Sequence, residues 1–405
     1  MRNRYYELTA EMFREGIPWT VFDRLRRDES LSQMSLPDGT LAWNLVRYDD
    51  VLEGLRALHH YATPSVDPNP ALAPGAVVHE TADDRTIRAM NVLRPPTHTE
   101  YRQQFTGLMK RSLLEQFKLR VSRIADEAIH KVLELGVADA VEDCAGPTAA
   151  AFVCDYLGVS SESREYFRRL SAIFMGDTLP PTTVGSFETA GLRPRSLCAI
   201  HGSPARAAVE LIAESWGHLP WLDGKFVDGA GHWEIEDLGM QLLTAGVAGV
   251  RSCLVSAILL LAPLWGEVKR NQDTWLSRIP VVTDEIIRHA TPLLRVRRIL
   301  TADICCHGQQ MLAGDTVLLW LVGANFDEKR FPDPRSFLPF RTPNPHLSFG
   351  GGPHHCLGAP LAKLEVEEFL RAMIKDWNTI EICASPINFP SSVVNEVSSV
   401  PIRIS

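Results

Sequence analysis

Near the C-terminus, Phe349-Gly350-Gly351-Gly352-Pro353-His354-His355-Cys356-Leu357-Gly358 constrains the fold more than any other stretch. Three glycines and a proline precede one cysteine, and a further glycine follows it. Glycine admits positive φ and lets the backbone approach a flat partner closely. Leu361-Ala362-Lys363-Leu364-Glu365 then reads as a helix. Cys356 therefore lies just ahead of a helix N-terminus, where unpaired amides and the helix dipole favour a thiolate. A thiolate bound to a metal also needs N–H donors around the sulfur. Three readings are open: a thiolate ligand to a metal-bearing group, a Cys/His zinc site, or a structural cysteine. A zinc site wants ligand pairs such as CxxC or HxxxH, and neither accompanies this loop.

The 405 residues suffice for a large core, and length alone allows two or three domains. No Pro/Gly/Ser linker, repeat or low-complexity run divides the chain, so the reading is a single domain over 1–405. A net charge of -8 argues against non-specific nucleic-acid binding. Met1-Arg2-Asn3-Arg4-Tyr5-Tyr6 forms no apolar signal or anchor. The longest apolar run, Leu254 to Trp265, is interrupted by Ser256 and Pro263 and is too short to span a bilayer. A soluble, cytoplasmic protein is expected. Eight scattered cysteines, Cys305 and Cys306 adjacent, make no disulfide framework.

Residues 4–30 read as one or two short helices, Leu41 to Val46 as a strand, and Asp49-Asp50-Val51 as a capped helix start. Residues 63–80, with Pro64, Pro68, Pro70, Pro74 and Gly75, read as a long loop, and such loops are often functional. Val77 and Val78 are its apolar candidates, as pocket contacts or as plain anchors. His98 and Arg102 share a face of the helix that Pro95-Pro96 opens. Residues 119–233 read as several amphipathic helices, broken near Gly146-Pro147, Gly158 and Pro180-Pro181.

Glu234 to Ala262 reads as one long, mostly buried helix. Within it Ala245, Ala248, Gly249 and Ser252 fall at i, i+3, i+4 and i+7, one face of small side chains. Gly246 and Gly249 each cost about 1 kcal/mol against alanine in a helix interior, so the space serves close helix packing or a bound group. Arg251 points about 200° from Gly249 and is expected to pair with a carboxylate. Glu285-x-x-Arg288 has ion-pair spacing, and residues 299–320 alternate as strands with turns at His307-Gly308 and Gly314-Asp315. Ile380 to Ser405 reads as strand pairs, with a turn around Val393-Val394-Asn395-Glu396. Lys110, Arg111, Lys118 and Arg120 form a basic cluster on an otherwise acidic chain, either a docking patch or a solvated run.

The pattern Phe-Gly-x-Gly-x-His-x-Cys-x-Gly, filled at every fixed position, resembles the haem-binding loop of the cytochrome P-450 family. The resemblance runs over nearly the whole chain: Glu285-x-x-Arg288, Leu293 to Arg298, Gly323 to Asp327, Phe331 to Pro334 and Arg341 fall in the family's order. It implies a mainly α fold with small β-sheets and a long central helix over haem b. It makes Cys356 the axial iron ligand and His98, Arg102, Arg298 and His354 partners of the propionates, with Phe349 and Gly358 in the cofactor loop. It places Ala245, Ala248, Gly249 and Ser252 on the catalytic turn and Val77, Val78, Thr244, Val296 and Asn395 against substrate. Phe167 to Phe174 and residues 182–204 resemble the family's lid. The implied activity is that of an O2-dependent haem-thiolate monooxygenase-type oxidoreductase supplied by a ferredoxin and a ferredoxin reductase.

The chain departs from the family at two places. Family members usually carry Asp before the two prolines, where this chain has Arg94. They usually carry Ala-Gly-x-(Asp/Glu)-Thr, an acid and an alcohol that deliver protons, where this chain has Ala248 and Gly249. Ala-Gly-Val-Ala-Gly-Val-Arg-Ser, Gly-Ala-Asn-Phe-Asp and Pro74 to His79 are most similar to a mycobacterial member that couples the two phenol rings of cyclo-(Tyr-Tyr) and also lacks that pair. This implies an aromatic cyclodipeptide-like substrate of secondary metabolism, joined by C–C or C–N bond formation. Hydroxylation of another secondary-metabolite scaffold, and a haem-binding sensor without turnover, are the alternatives.

Overall fold

The computed structural model describes residues 8–27, 31–36, 39–63, 94–106, 109–158, 164–165, 168 and 232–405, with side chains at all of these except 97, 101, 104, 105 and 232–244. In chain order the elements are α1 (Trp19–Arg27), β1 (Ser32–Ser35), β2 (Leu41–Leu45), α2 (Tyr48–Arg56), β3 (Tyr61–Ala62), α3 (Thr97–Thr106), α4 (Arg111–Leu135), β4 (Val137–Asp139), α5 (Gly146–Tyr156) and α6 (His232–Leu261). They continue with α7 (Ile279–Ala290), β5 (Arg295–Leu300), β6 (Ile304–Cys306), β7 (Gln309–Met311), β8 (Thr316–Trp320), α8 (Ala359–Asp376), β9 (Ile380–Ile382), β10 (Ile387–Asn388), β11 (Val397–Ser399) and β12 (Pro401–Ile404), with short helical turns between. The fold is mainly helical with small sheets, as the resemblance implies.

The larger core lies between helices. On α4, Leu113, Phe117, Val121, Ile124, Ala125, Ile129 and Val132 recur at three- and four-residue spacing and are buried. They pack with Phe152 of α5, Leu254 and Ile258 of α6, Ile286 of α7 and Phe369 and Met373 of α8. Almost every residue of α5 is buried, which fits its Thr-Ala-Ala-Ala-Phe-Val-Cys sequence. The helical stretch Ala245–Arg270 is long and apolar enough to cross a membrane. Here it is a core element, with Val247, Leu254, Ile258 and Leu261 closed inside the protein.

The second body is a five-stranded sheet in the order β1-β2-β8-β5-β3, parallel only between β2 and β8. Every residue of β8 is buried, because both faces are covered. Val317 and Leu319 meet Trp43, Leu45, Val51 and Leu55 on one side. Leu318 and Trp320 meet Phe13, Phe22, Met34 and Ala42 on the other. The period-2 alternation of strand side chains divides them. Helix α2 begins where Asp49-Asp50 suggests, but no side chain of its own caps it. The Tyr48 amide instead donates to Asp327 Oδ2 at 2.8 Å, a cap supplied by a distant segment.

Candidate active site

The cysteine loop rests on the C-terminal turn of α2. Gly350 (φ 70°) and Gly352 (φ 64°) take left-handed conformations that other residues rarely adopt. A Cβ at Gly352 would lie 2.5 Å from the Leu55 carbonyl oxygen and 2.9 Å from Arg56 Cα. The glycine is thus needed twice, for its φ and for the approach. The Gly350 amide donates to Leu347 O and the Cys356 amide to Phe349 O, both at 2.8 Å, which closes the loop around its sulfur. Phe349 is half-buried, with His346 and His355 rings 5.8 and 6.2 Å away.

Behind the loop stands a buried ion-pair frame. Arg288 donates to both Glu285 oxygens at 2.8 and 2.9 Å, and both side chains are fully buried. Arg341 Nε adds bonds of 3.0 and 3.1 Å to the same carboxylate. Burial pushes that carboxyl up, but the Arg288 guanidinium, His289 and the Leu338 amide outweigh it and hold Glu285 down at about 2. Asn325 accepts from the Leu347 amide at 2.6 Å and donates to Ser348 Oγ at 2.9 Å. The expected Glu-x-x-Arg pair therefore carries the strand of chain that enters the cysteine loop.

Cys356 exposes surface although protein surrounds it. Burial pushes its thiol up, while the Gly358 and Ala359 amides and Arg102 act in the opposite direction. Without a metal the sulfur holds its proton; a metal replaces that proton, and the amides then serve as donors to the thiolate. Among the described residues, no set of His, Cys, Asp and Glu gathers about Cys356 as a zinc cage.

Above the sulfur-bearing loop, four basic groups converge. The His98 and His354 rings stand 4.0 Å apart. His98 is buried with neither ring nitrogen hydrogen-bonded, and His354 Nε2 and Arg298 Nε lack partners as well, among the described residues. Burial, then His98, Arg298 and Arg102, push His354 down to about 3; burial and Arg102 lower His98; burial alone brings Arg298 to about 10. Buried donors left unpaired cost free energy, and like charges pressed together add to it. A ligand with two carboxylates satisfies all four groups, and a cysteine sulfur presented from glycine backbone suits its metal. The residues present fit haem b.

Four small residues of α6 do not share one environment. A Cβ at Gly246 would meet Val153 Cγ2 of α5 at 2.9 Å, whereas one at Gly249 meets nothing within 4 Å among the described residues. Helix packing uses the first glycine; the second borders open space. Ala245 is exposed and Ala248 buried. Ser252, expected on the catalytic turn, is buried and donates its hydroxyl to the Asn395 carbonyl at 2.7 Å, so its proton is committed to the C-terminal tail. Arg251 pairs with Glu396, as its position on the far side of the helix implies.

Of the pocket residues expected, Asn395 turns its amide to the Ala290 carbonyl at 2.6 Å rather than to a substrate. Val296 is half-buried beside the sheet core. Val77, Val78 and the Thr244 side chain lie outside the described residues, as do 167, 169–174 and 182–204 of the expected lid. Three of the four basic-cluster residues stand near carboxylates: Arg120 meets Asp155 at 2.8 Å, Arg111 meets Glu115 at 3.8 Å and Lys118 meets Glu368 at 3.9 Å. Arg94, in place of the family's Asp, donates to the Thr63 carbonyl at 2.8 and 3.0 Å. A surface cleft of about 400 Å³ between α1 and residues 328–336 shares no residue with the cysteine loop, and its charges pair with one another.

Comparison with known proteins agrees with this geometry. The family model described as Cytochrome P450 matches residues 266–389. The methyl-branched lipid omega-hydroxylase of Mycobacterium tuberculosis is 27% identical over 94% of this chain and 90% of its own length. The 20-oxo-5-O-mycaminosyltylactone 23-monooxygenase of Streptomyces fradiae is 28% identical over 89% and 86%. The crystal structure of CYP108D1 from Novosphingobium aromaticivorans, 22% identical, superposes with a TM-score of 0.79 over 98% of this chain and 96% of that one. With its cysteine loop on α2, a basic cluster fitted to haem b and relatives that are monooxygenases, the chain has the fold and the haem-thiolate site of a cytochrome P450 oxidoreductase.

Proposed function

We propose that this chain oxidises an aromatic cyclodipeptide-like molecule of secondary metabolism and joins it by C–C or C–N bond formation. The observation that carries this reading is the α6 turn at Gly249. Ala248 and Gly249 have no side-chain proton donor, and the Ser252 hydroxyl donates to the Asn395 carbonyl. A substrate bound at this turn that brings amide, phenol or indole protons needs no donor from the protein there. The open volume at Gly249 supports a bulky substrate.

Haem, when bound, supplies the oxidising chemistry with O2. Cys356 holds the iron, and the Gly358 and Ala359 amides temper the sulfur. His98, Arg102, Arg298 and His354 orient the macrocycle through its carboxylates. A bidentate arginine suits that task through its planar fork. A ferredoxin, reduced by its reductase, is the proposed electron source, docking on the face that carries Lys110, Arg111, Lys118 and Arg120. Agreement with relatives over nearly the whole chain supports a single domain over 1–405.

The relatives' names favour a second reading, hydroxylation of another scaffold with ordered water in place of the alcohol. Titration of the holoenzyme with aromatic cyclodipeptides, followed by product mass after ferredoxin-dependent turnover, separates the two. Coupling loses hydrogens; hydroxylation gains an oxygen. A spin shift and coupled product with none of the panel would overturn the cyclodipeptide proposal.

A further inference from the structure

The β6–β7 hairpin carries a side-chain cluster that the haem site does not use. Cys306 pairs with Gln309, leaving His307 and Gly308 as a two-residue turn. Both have positive φ, 49° and 72°, the shape of turn that favours Asn, Asp or Gly at its first position. A histidine is an uncommon choice there. Its ring is held by a contact of 2.8 Å from Nε2 to Asp50 Oδ2 of α2. The ligand atoms of Asp50, Cys306 and His307 all lie within 4.8 Å of one another. Asp50 and Cys306 are half-buried and His307 stands at the rim.

Carboxylates of α2 lie beside the cluster. Burial, then Asp50 and Glu53, push the Cys306 thiol up to about 12, against a smaller opposing effect of Arg47. Arg47 itself donates to the Arg26 carbonyl at 3.1 Å. Asp50 and Glu53, one turn apart on α2, thus both act on Cys306, and Asp50 also holds the His307 ring.

We propose that Asp50, Cys306 and His307 bind one zinc ion, with water as the fourth ligand. One sulfur, one imidazole nitrogen and one carboxylate oxygen suit this borderline ion. Tetrahedral bonds of about 2.0–2.3 Å put neighbouring ligand atoms about 3.3–3.6 Å apart. Cys306 therefore closes on its partners by about 1.3 Å at most, while the His307–Asp50 contact opens by less, within the range of side-chain rotation. The Cys306 proton leaves as the zinc–sulfur bond forms. The ion clips the hairpin to α2.

The test uses the haem-loaded protein, stripped of adventitious metal, dialysed against zinc chloride and measured by elemental analysis and zinc K-edge absorption. That edge reports zinc independently of the haem iron. The expected result is one zinc per chain with one sulfur at about 2.3 Å and nitrogen or oxygen at about 2.0–2.2 Å. Cys306→Ser and Asp50→Asn are expected to weaken binding at least about tenfold. His307→Asn, which suits the turn, is expected to fold normally and lose the ion. Cys305→Ser, on the neighbouring residue, is expected to bind as wild type does. No uptake by wild type, a sulfur shell that persists in Cys306→Ser, or full occupancy in His307→Asn overturns the site and leaves a simple His–Asp contact.

Discussion

Replacing Gly352 by alanine tests whether α2 fixes the position of Cys356. Two costs apply. The φ of 64° is the left-handed region, worth about 1–2 kcal/mol against a residue with a Cβ. The new methyl would also stand 2.5, 2.9 and 3.2 Å from Leu55 O, Arg56 Cα and Leu55 C. These are backbone atoms of a helix end, which no side-chain rotation can clear. Loop and helix must separate by about 1 Å to restore ordinary contact, and overpacking of that kind costs about 1–3 kcal/mol. Gly350 is the control. Its φ is 70°, but its added methyl would find only His354 O, at 3.9 Å. Gly350→Ala should therefore lose about 1–2 kcal/mol and Gly352→Ala about 2–5 kcal/mol. Because the Cys356 amide is bonded to Phe349 O, moving the loop moves the sulfur. The assay is denaturant unfolding, the haem-to-protein ratio and the absorption of the reduced, CO-bound protein. Gly350→Ala should keep the long-wavelength band of thiolate-ligated haem, and Gly352→Ala should lose haem or that band. Equal stability losses with full thiolate ligation in both would refute the reasoning.

Arg298→Ala should lower haem retention while Arg251→Ala lowers stability, by about 3–5 kcal/mol for a broken, mostly buried pair, and retains haem; equal haem loss in both would count against the propionate assignment. Gly249→Thr meets no atom of the described residues with its Cβ, so folding stability should hold or rise by a few tenths of a kcal/mol; product distribution should shift from coupling toward hydroxylation, and faster turnover to the same product would contradict the substrate-assisted reading. Ser252→Ala should cost about 0.5–1.5 kcal/mol of stability with NAD(P)H consumed per product unchanged; a rise in that ratio would make its hydroxyl a proton source. Glu365 is fully buried, and burial holds its carboxyl well above the ordinary range; the folded protein keeps a proton that the unfolded chain releases above about pH 4.5, so stability falls as pH rises from there, by up to about 1.4 kcal/mol per unit. Glu365→Gln should remove that slope, leaving the variant the more stable at pH 7 and level with wild type near pH 4, as urea unfolding across pH would show.

What the sequence reveals depends on whether local spacing carries the physics. The cysteine loop is legible because its glycines are demanded by backbone shape, and the Glu285–Arg288 pair because three residues on a helix bring side chains together. The carboxylate partner of Arg251 follows from helical rotation, but its identity, Glu396, does not, since it arrives 145 residues later. Gly246 and Gly249 look alike in sequence. Only tertiary packing distinguishes a glycine filled by Val153 from one that borders open space. The Asp327 cap on α2 and the Asp50–Cys306–His307 cluster are invisible for the same reason: each unites groups more than 250 residues apart.

The central helix and the C-terminal turn form a single device. Ser252 and Arg251, adjacent on α6, bond to Asn395 and Glu396, adjacent on the turn. The turn is held in its own right, because the Asn395 amide donates to Ala290 O and its backbone N–H to Pro292 O at the end of α7. The helix turn that holds Gly249 is therefore fixed at its C-terminal side by two polar contacts, and neither can be relaxed without the other. Among the described residues of this face, Ser252 carries the hydroxyl, and it is consumed in that anchoring. A small residue at Gly249 then does more than make space. It removes the protein's own proton from the place where this family usually keeps one, on a helix whose position is firmly set. Under the proposed function, the proton is left to the substrate or to water, and the choice of substrate follows from what it carries to Gly249.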